Sequence, residues 1–159
     1  MSTHVYLSVP HGHELPEPLL ERAAVAVLES EGISEGELSL TFLADDPIRD
    51  LNRRWRGHDR IPDVLSFCLH DPGNPPVGDI YIGVDQAVRQ ARDQGVSDQE
   101  ELVRLVIHGT LHVLGYDHPE AWMDRGESEL YRKQELMVRR ILTENPEERS
   151  EIEVTGRRR

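Results

Sequence analysis

His108, His112 and His118 are spaced so that one ion can be held by all three. Residues four apart on a helix lie on the same face, one turn above the other. That puts the imidazoles of His108 and His112 on one side. Gly115 supplies the freedom to leave the helix, because glycine takes positive φ at little cost, and the turn after it can return His118 to the same point. Three neutral imidazoles suit a borderline-soft divalent ion such as Zn²⁺, one per chain, at about 2.0–2.1 Å. Three protein ligands leave a fourth position for water, which is the arrangement of a catalytic zinc rather than a structural one. A single histidine is more often a hydrogen-bonded core residue, and His4, His11, His13, His58 and His70 are read as scattered surface residues.

The same spacing occurs in metzincin peptidases, where a Glu follows the first histidine and serves as general base. Here that position is Gly109. The ligand set is present and the peptidase base is missing.

The elements that must position these histidines follow from periodicity. Val5, Leu7 and Val9 alternate as a strand, and Pro16 and Pro18 open a helix with an apolar stripe from Leu19 to Leu28 that Gly32 stops. Leu38, Leu40 and Phe42 form a second strand. Asp45 or Asp46 before Pro47 reads as an N-cap, and Ile48, Leu51 and Trp55 mark the apolar face of a short helix ending near Gly57. Strands are expected at Val64–Leu69 and Ile80–Val84, with a loop over Asp71–Gly78 between them and Asp85 capping a helix toward Gly95. Ser97 and Glu100 form a capping box for the helix that carries His108 and His112. That helix is apolar around most of its circumference, so it belongs in the middle of the fold. A last helix is expected from about Glu120 to Leu142, with Trp122, Leu130, Met137 and Ile141 inside. The order predicts an α+β fold: a small mixed sheet packed with helices, including a zincin-like metal-binding helix.

A chain of 159 residues with net charge −12 and 37% hydrophobic residues fits one globular domain, expected over residues 1–143. Residues 144–159 hold five Glu and four Arg with few apolar groups and read as a disordered charged tail. No apolar run approaches a membrane span, and the start lacks the basic and apolar regions of a secretory signal. Cys68 stands alone, so a reducing cytoplasm fits. The acidic whole argues against a general nucleic-acid binder. Residues 48–63 are the exception: Arg49, Arg53, Arg54, Arg56 and Arg60 against Asp50, Asp59 and Asp63 give a local +2. Guanidinium forks match phosphate oxygens.

The run His108-Gly109-x-Leu111-His112-x-x-Gly115-Tyr116-Asp117-His118 resembles the YbeY family of bacterial rRNA maturation factors, which are single-strand-specific, metal-dependent endoribonucleases. The resemblance extends upstream through Leu51-Asn52, Arg56-Gly57-x-Asp59, Asp63-Val64-Leu65-Ser66-Phe67 and Gly78-Asp79-Ile80, covering roughly residues 38–120. The family's Pro-Thr before the Asp-Val-Leu-Ser-Phe run is Ile61-Pro62 here, which shifts the proline and removes a hydroxyl.

The resemblance implies a cytoplasmic hydrolase that uses Zn²⁺ on His108, His112 and His118 to cleave single-stranded RNA. It implies a role in rRNA processing, including 16S 3′ end maturation, and in ribosome quality control, with the ribosome or its proteins as partners and neither DNA nor membrane. Arg56 stands where the family has an arginine facing the metal cleft, so Arg56 and His108 are expected at the catalytic centre. Arg53 and Arg60 extend the same substrate edge, against the simpler reading of Arg56's neighbours as a solvated helix face. Asp117 is read either as a partner for a ligand imidazole or as a turn residue. Asp63 and Asp79 flank the cleft strands, and Ser66 and Cys68 are assigned to packing. A metallopeptidase and a non-catalytic ribosome assembly factor are the alternatives.

Overall fold

In the computed structural model, which describes residues 2–117, 128–144 and 157–158, the elements follow the expected order. They are β1 (Thr3–Ser8), α1 (Glu17–Ser30), β2 (Gly36–Leu43), α2 (Asp45–Arg56), β3 (Val64–Cys68), β4 (Val77–Gly83), α3 (Val84–Gln94), α4 (Asp98–Val113), α5 (Glu129–Thr143) and the two-residue β5 (Arg157–Arg158). The architecture is α+β with a mixed sheet in the order β3-β4-β2-β1-β5. β3 runs antiparallel to β4, and the other pairs are parallel.

Side chains alternate across a strand, so register decides what meets the helices. Val5, Leu38, Leu40, Ile80 and Ile82 share one face and are fully buried. Val64 and Ser66 of β3 lie beside Ile82 and Ile80 on that face. The opposite face carries Tyr6, Ser39, Thr41, Asp79, Tyr81 and Phe67, all half-buried.

α4 packs against α1, α3, α5, β3 and β4, which is why it is apolar nearly all round. Leu102, Val103, Val106, Ile107 and Leu111 are each at most 4% exposed. Ser97 starts the helix as expected: its Oγ accepts the Glu100 N–H at 3.0 Å. Two glycines let α4 lie directly on the sheet. A β-carbon on Gly109 would stand 2.6 Å from Ile80 Cγ2 and 3.1 Å from Ser66 Oγ, and one on Gly78 would stand 2.6 Å from Val113 Cγ1. The histidine-bearing stretch of α4 is thereby set against the edge strand β3.

Several local expectations are corrected. α2 has Ala44 at its N-cap, with Asp45 and Asp46 in the first turn. α3 begins after Gly83, not at a cap from Asp85. Instead Asp85 Oδ2 accepts the Asp45 N–H at 3.3 Å, and Arg89 holds Asp45 through two bonds of 2.8 and 3.1 Å, joining α2 to α3. β3 ends at Cys68, and β4 begins inside the expected loop, at Val77. Trp55, expected on a buried face, is 68% exposed. The last helix begins after Ser128, whose Oγ accepts the Tyr131 N–H; Glu120 and Trp122 lie outside the described residues. So does most of the segment expected as a charged tail. Of that segment, Arg157–Arg158 pair with Tyr6 and Leu7 of β1, and Glu144 Oε1 meets Arg22 Nη2 at 3.0 Å. No described helix is long and apolar enough to cross a membrane.

Candidate active site

His108 and His112 project from one face of α4 with ring centroids 4.7 Å apart, and both line a cleft of about 890 Å³. His108 Nδ1 lies 2.6 Å from Oε1 of Gln134 on α5. The direction of that bond follows from the groups beyond it. Gln134 Nε2 donates to Glu135 Oε2 at 3.0 Å, which leaves Oε1, an acceptor only, toward His108. Nδ1 therefore carries the proton, and Nε2 keeps the lone pair. Metal-ligating histidines commonly have this arrangement, one ring nitrogen donating outward while the other is free to coordinate.

The chain continues to Arg104, which donates to both Glu135 oxygens at 2.9 and 3.1 Å, to Glu101 at 3.0 Å and to Glu100 at 2.9 Å. Burial works against charge on Glu135, but hydrogen bonds from Arg104 and Gln134 outweigh it and hold the carboxyl below the usual glutamate range. Burial likewise opposes the Arg104 charge and is outweighed by the three glutamates, so its affinity for the proton rises. Gln134 is thus buried between a fixed carboxylate and an imidazole, with its amide orientation set.

The far wall of the cleft is α2 and the loop after it. Arg56 Nη2 donates to the Ser66 carbonyl at 2.8 Å, and its guanidinium stands over the Phe67 ring, 5.1 Å from the centroid. Two contacts hold the group at the cleft rim while it stays exposed. Asn52 is buried because its amide donates to the Arg60 carbonyl at 3.1 Å, fixing the loop that brings Arg60, His58 and Asp63 to the cleft. Arg53 is not brought there: it pairs with Asp50, as does Arg54 at 3.1 Å. Ser66, assigned to packing, does more. Its Oγ donates to the Gly109 carbonyl at 3.2 Å, and its own carbonyl holds Arg56.

The turn after α4 is pinned before it reaches His118. Gly115 has φ 103°, which glycine adopts without strain. The Tyr116 hydroxyl donates to Glu31 Oε1, while Lys133 Nζ reaches Glu31 Oε2 at 3.0 Å, so α1, α5 and the turn meet at one carboxylate. Burial opposes the Glu31 charge, but the bonds from Tyr116 and Lys133 hold its carboxyl below the usual range. The expected third ligand His118 lies outside the described residues, and Asp117 beside it is exposed. Among the described residues no group of three His, Cys, Asp or Glu gathers at metal-binding separation. What is present fits two of three ligands: two imidazoles on one face, one of them held through Nδ1 by Gln134.

Gln134, Glu135 and Arg104 were not anticipated. The available signal was a polar residue inside an apolar stripe, since Gln134 interrupts the series Leu130, Val138 and Ile141 on the buried face of α5.

A family model described as "Endoribonuclease YbeY" matches residues 12–141. A protein of that name from an Anaeromyxobacter species is 39% identical over 155 residues, covering 94% of this chain and 80% of its own. Another from Moorella thermoacetica is 42% identical over 141 residues, covering 81% and 88%. The solution structure of TM1509 from Thermotoga maritima aligns with a TM-score of 0.62 at 29% identity, covering 94% of this chain and 96% of that one.

Proposed function

We propose, from the premise that this chain belongs to the endoribonuclease YbeY family, that it cleaves the phosphodiester backbone of single-stranded RNA in a metal-dependent reaction on the cleft face of α4. The observation that carries this reading is the pair of imidazoles, His108 and His112, on one face of α4 at the cleft, with His108 Nδ1 2.6 Å from Gln134 Oε1. His108 and His112, with His118 as third ligand, would hold the ion, and three imidazoles favour Zn²⁺. When bound, such an ion supplies Lewis acidity at the phosphate and promotes attack by an oxygen nucleophile.

The remaining steps belong to the chain. Arg56 binds a phosphate oxygen at the rim and neutralises charge that develops there, its fork steadied by the Ser66 carbonyl and the Phe67 ring. Arg60 extends the same edge. Gly109 supplies no general base, and its close approach to Ile80 and Ser66 leaves no room for one, which disfavours the metallopeptidase alternative. The family resemblance supports ribosomal RNA as substrate, including the 16S 3′ end, and a cytoplasmic site of action at the ribosome.

The test is a parallel assay of the metal-loaded protein on end-labelled single-stranded RNA and on casein. The expected result is endonucleolytic RNA products that chelator abolishes, with casein intact. Intact RNA, or degraded casein, contradicts the proposal.

A further inference from the structure

We infer that Trp55 is a stacking platform for an unpaired base of the RNA, immediately outside the cleavage cleft. This rests on the RNA-cleaving reading of that cleft and specifies how the strand is held there.

Trp55 sits on the last turn of α2 and is 68% exposed. Its indole is not adrift. It meets Phe67 edge-on at 6.4 Å and 69°, and Phe67 meets Tyr81 at 5.9 Å and 79°, so a row of three aromatic rings runs onto the open face of the sheet. Only the innermost rings are covered by their neighbours, leaving the outermost available to a flat ligand. Arg56, the next residue, stands over Phe67 and lines the same cleft as His108. The Trp55 indole and the Arg56 guanidinium lie 6.4 and 5.1 Å from the same Phe67 ring centroid, so a base on Trp55 and a phosphate at Arg56 are within reach of one short strand.

Charge selects the occupant. Arg53 and Arg54 share the single carboxylate Asp50, Arg49 pairs with Asp59, and with Arg56, Arg60 and Asp63 this edge keeps a local excess of +2 on a chain of net −12. An apolar protein segment has no use for that collar, whereas a polyanion with exposed π-faces matches both features. Stacking on an aromatic ring tolerates any base and needs an unpaired one, which would impose single-strand preference without reading sequence.

The experiment is fluorescence anisotropy of a labelled oligoadenylate decamer, and of an abasic decamer of equal charge, with each oligomer checked for integrity after titration. Wild type, Trp55→Ala and Trp55→Phe are compared, all metal-loaded and with matching thermal unfolding. Trp55→Ala is expected to weaken oligoadenylate binding about 5- to 150-fold, Trp55→Phe to retain most of it, and the abasic decamer to bind wild type and Trp55→Ala alike. If Trp55→Ala binds oligoadenylate as tightly as a wild type that cleaves RNA, the platform is overturned and the RNA reading stands. An equal loss on the abasic decamer also overturns stacking. A wild type that neither binds nor cleaves RNA removes both readings.

Discussion

Toward the sheet, α4 presents Gly109 and Val113, packed so closely that a single added carbon at Gly109 collides with Ile80. Toward the cleft it presents His108 and His112, and His108 is held by a line of hydrogen bonds through Gln134 and Glu135 to Arg104. One face derives its rigidity from dispersion and excluded volume, the other from charge-assisted polar contacts that fix protons and orientations. The helix is therefore anchored on one side so that the other can hold polar groups still. Substitutions on the two faces should fail in different assays.

The sharpest break in the comparison comes from across the cleft. Arg56→Ala removes the proposed phosphate contact and no residue of either face of α4. RNA cleavage should fall about 10²- to 10³-fold, with bound metal and thermal unfolding unchanged; kcat at the wild-type value would make Arg56 a surface residue. Lysine there is no safe control, because an ammonium cannot reproduce the fork.

Gln134→Leu leaves an apolar group of similar size facing His108 and frees the ring to take either tautomer. Metal affinity, read by competition with a chromogenic chelator, should drop about 10- to 100-fold. Because Glu135 keeps Arg104, the secondary structure seen by circular dichroism should persist. Unchanged affinity would mean that Gln134 is only packing.

Gly109→Ala addresses the side that meets the sheet. Helix propensity favours alanine by about 1 kcal/mol, but overpacking against the stiff, fully buried Ile80 costs about 1–3 kcal/mol. The expected result in urea unfolding is a net loss of stability, with metal stoichiometry retained. A stabilised variant would show that the helix–sheet contact yields more readily than the distances indicate.

Much of this arrangement is legible in local pattern, because strands and helices announce themselves by period and by caps. The Ser97–Glu100 box, the apolar girth of α4 and the i, i+4 histidines are all local signals, and each corresponds to what the fold contains. Trp55 is different. It continues the apolar spacing of Ile48 and Leu51, but among the described residues the last turn of α2 meets little more than the edge of the sheet, at Phe67, and Trp55 stays exposed. The Asp85–Asp45 contact spans 40 positions and the Gln134–His108 contact 26; no periodicity encodes which polar group will complete another at that range. The polar partner shell of the site therefore became visible only with the fold, while the histidines themselves did not need it.

His112→Ala tests the separation of the two faces most directly, by metal content after purification without chelator and by urea unfolding of both proteins stripped of metal. Wild type should carry about one equivalent of zinc or a similar divalent ion, and the variant should lose it, while the stripped proteins unfold at the same urea concentration because the sheet face of α4 is untouched. A variant that keeps its metal, or a stripped variant that unfolds well before wild type, would contradict the account.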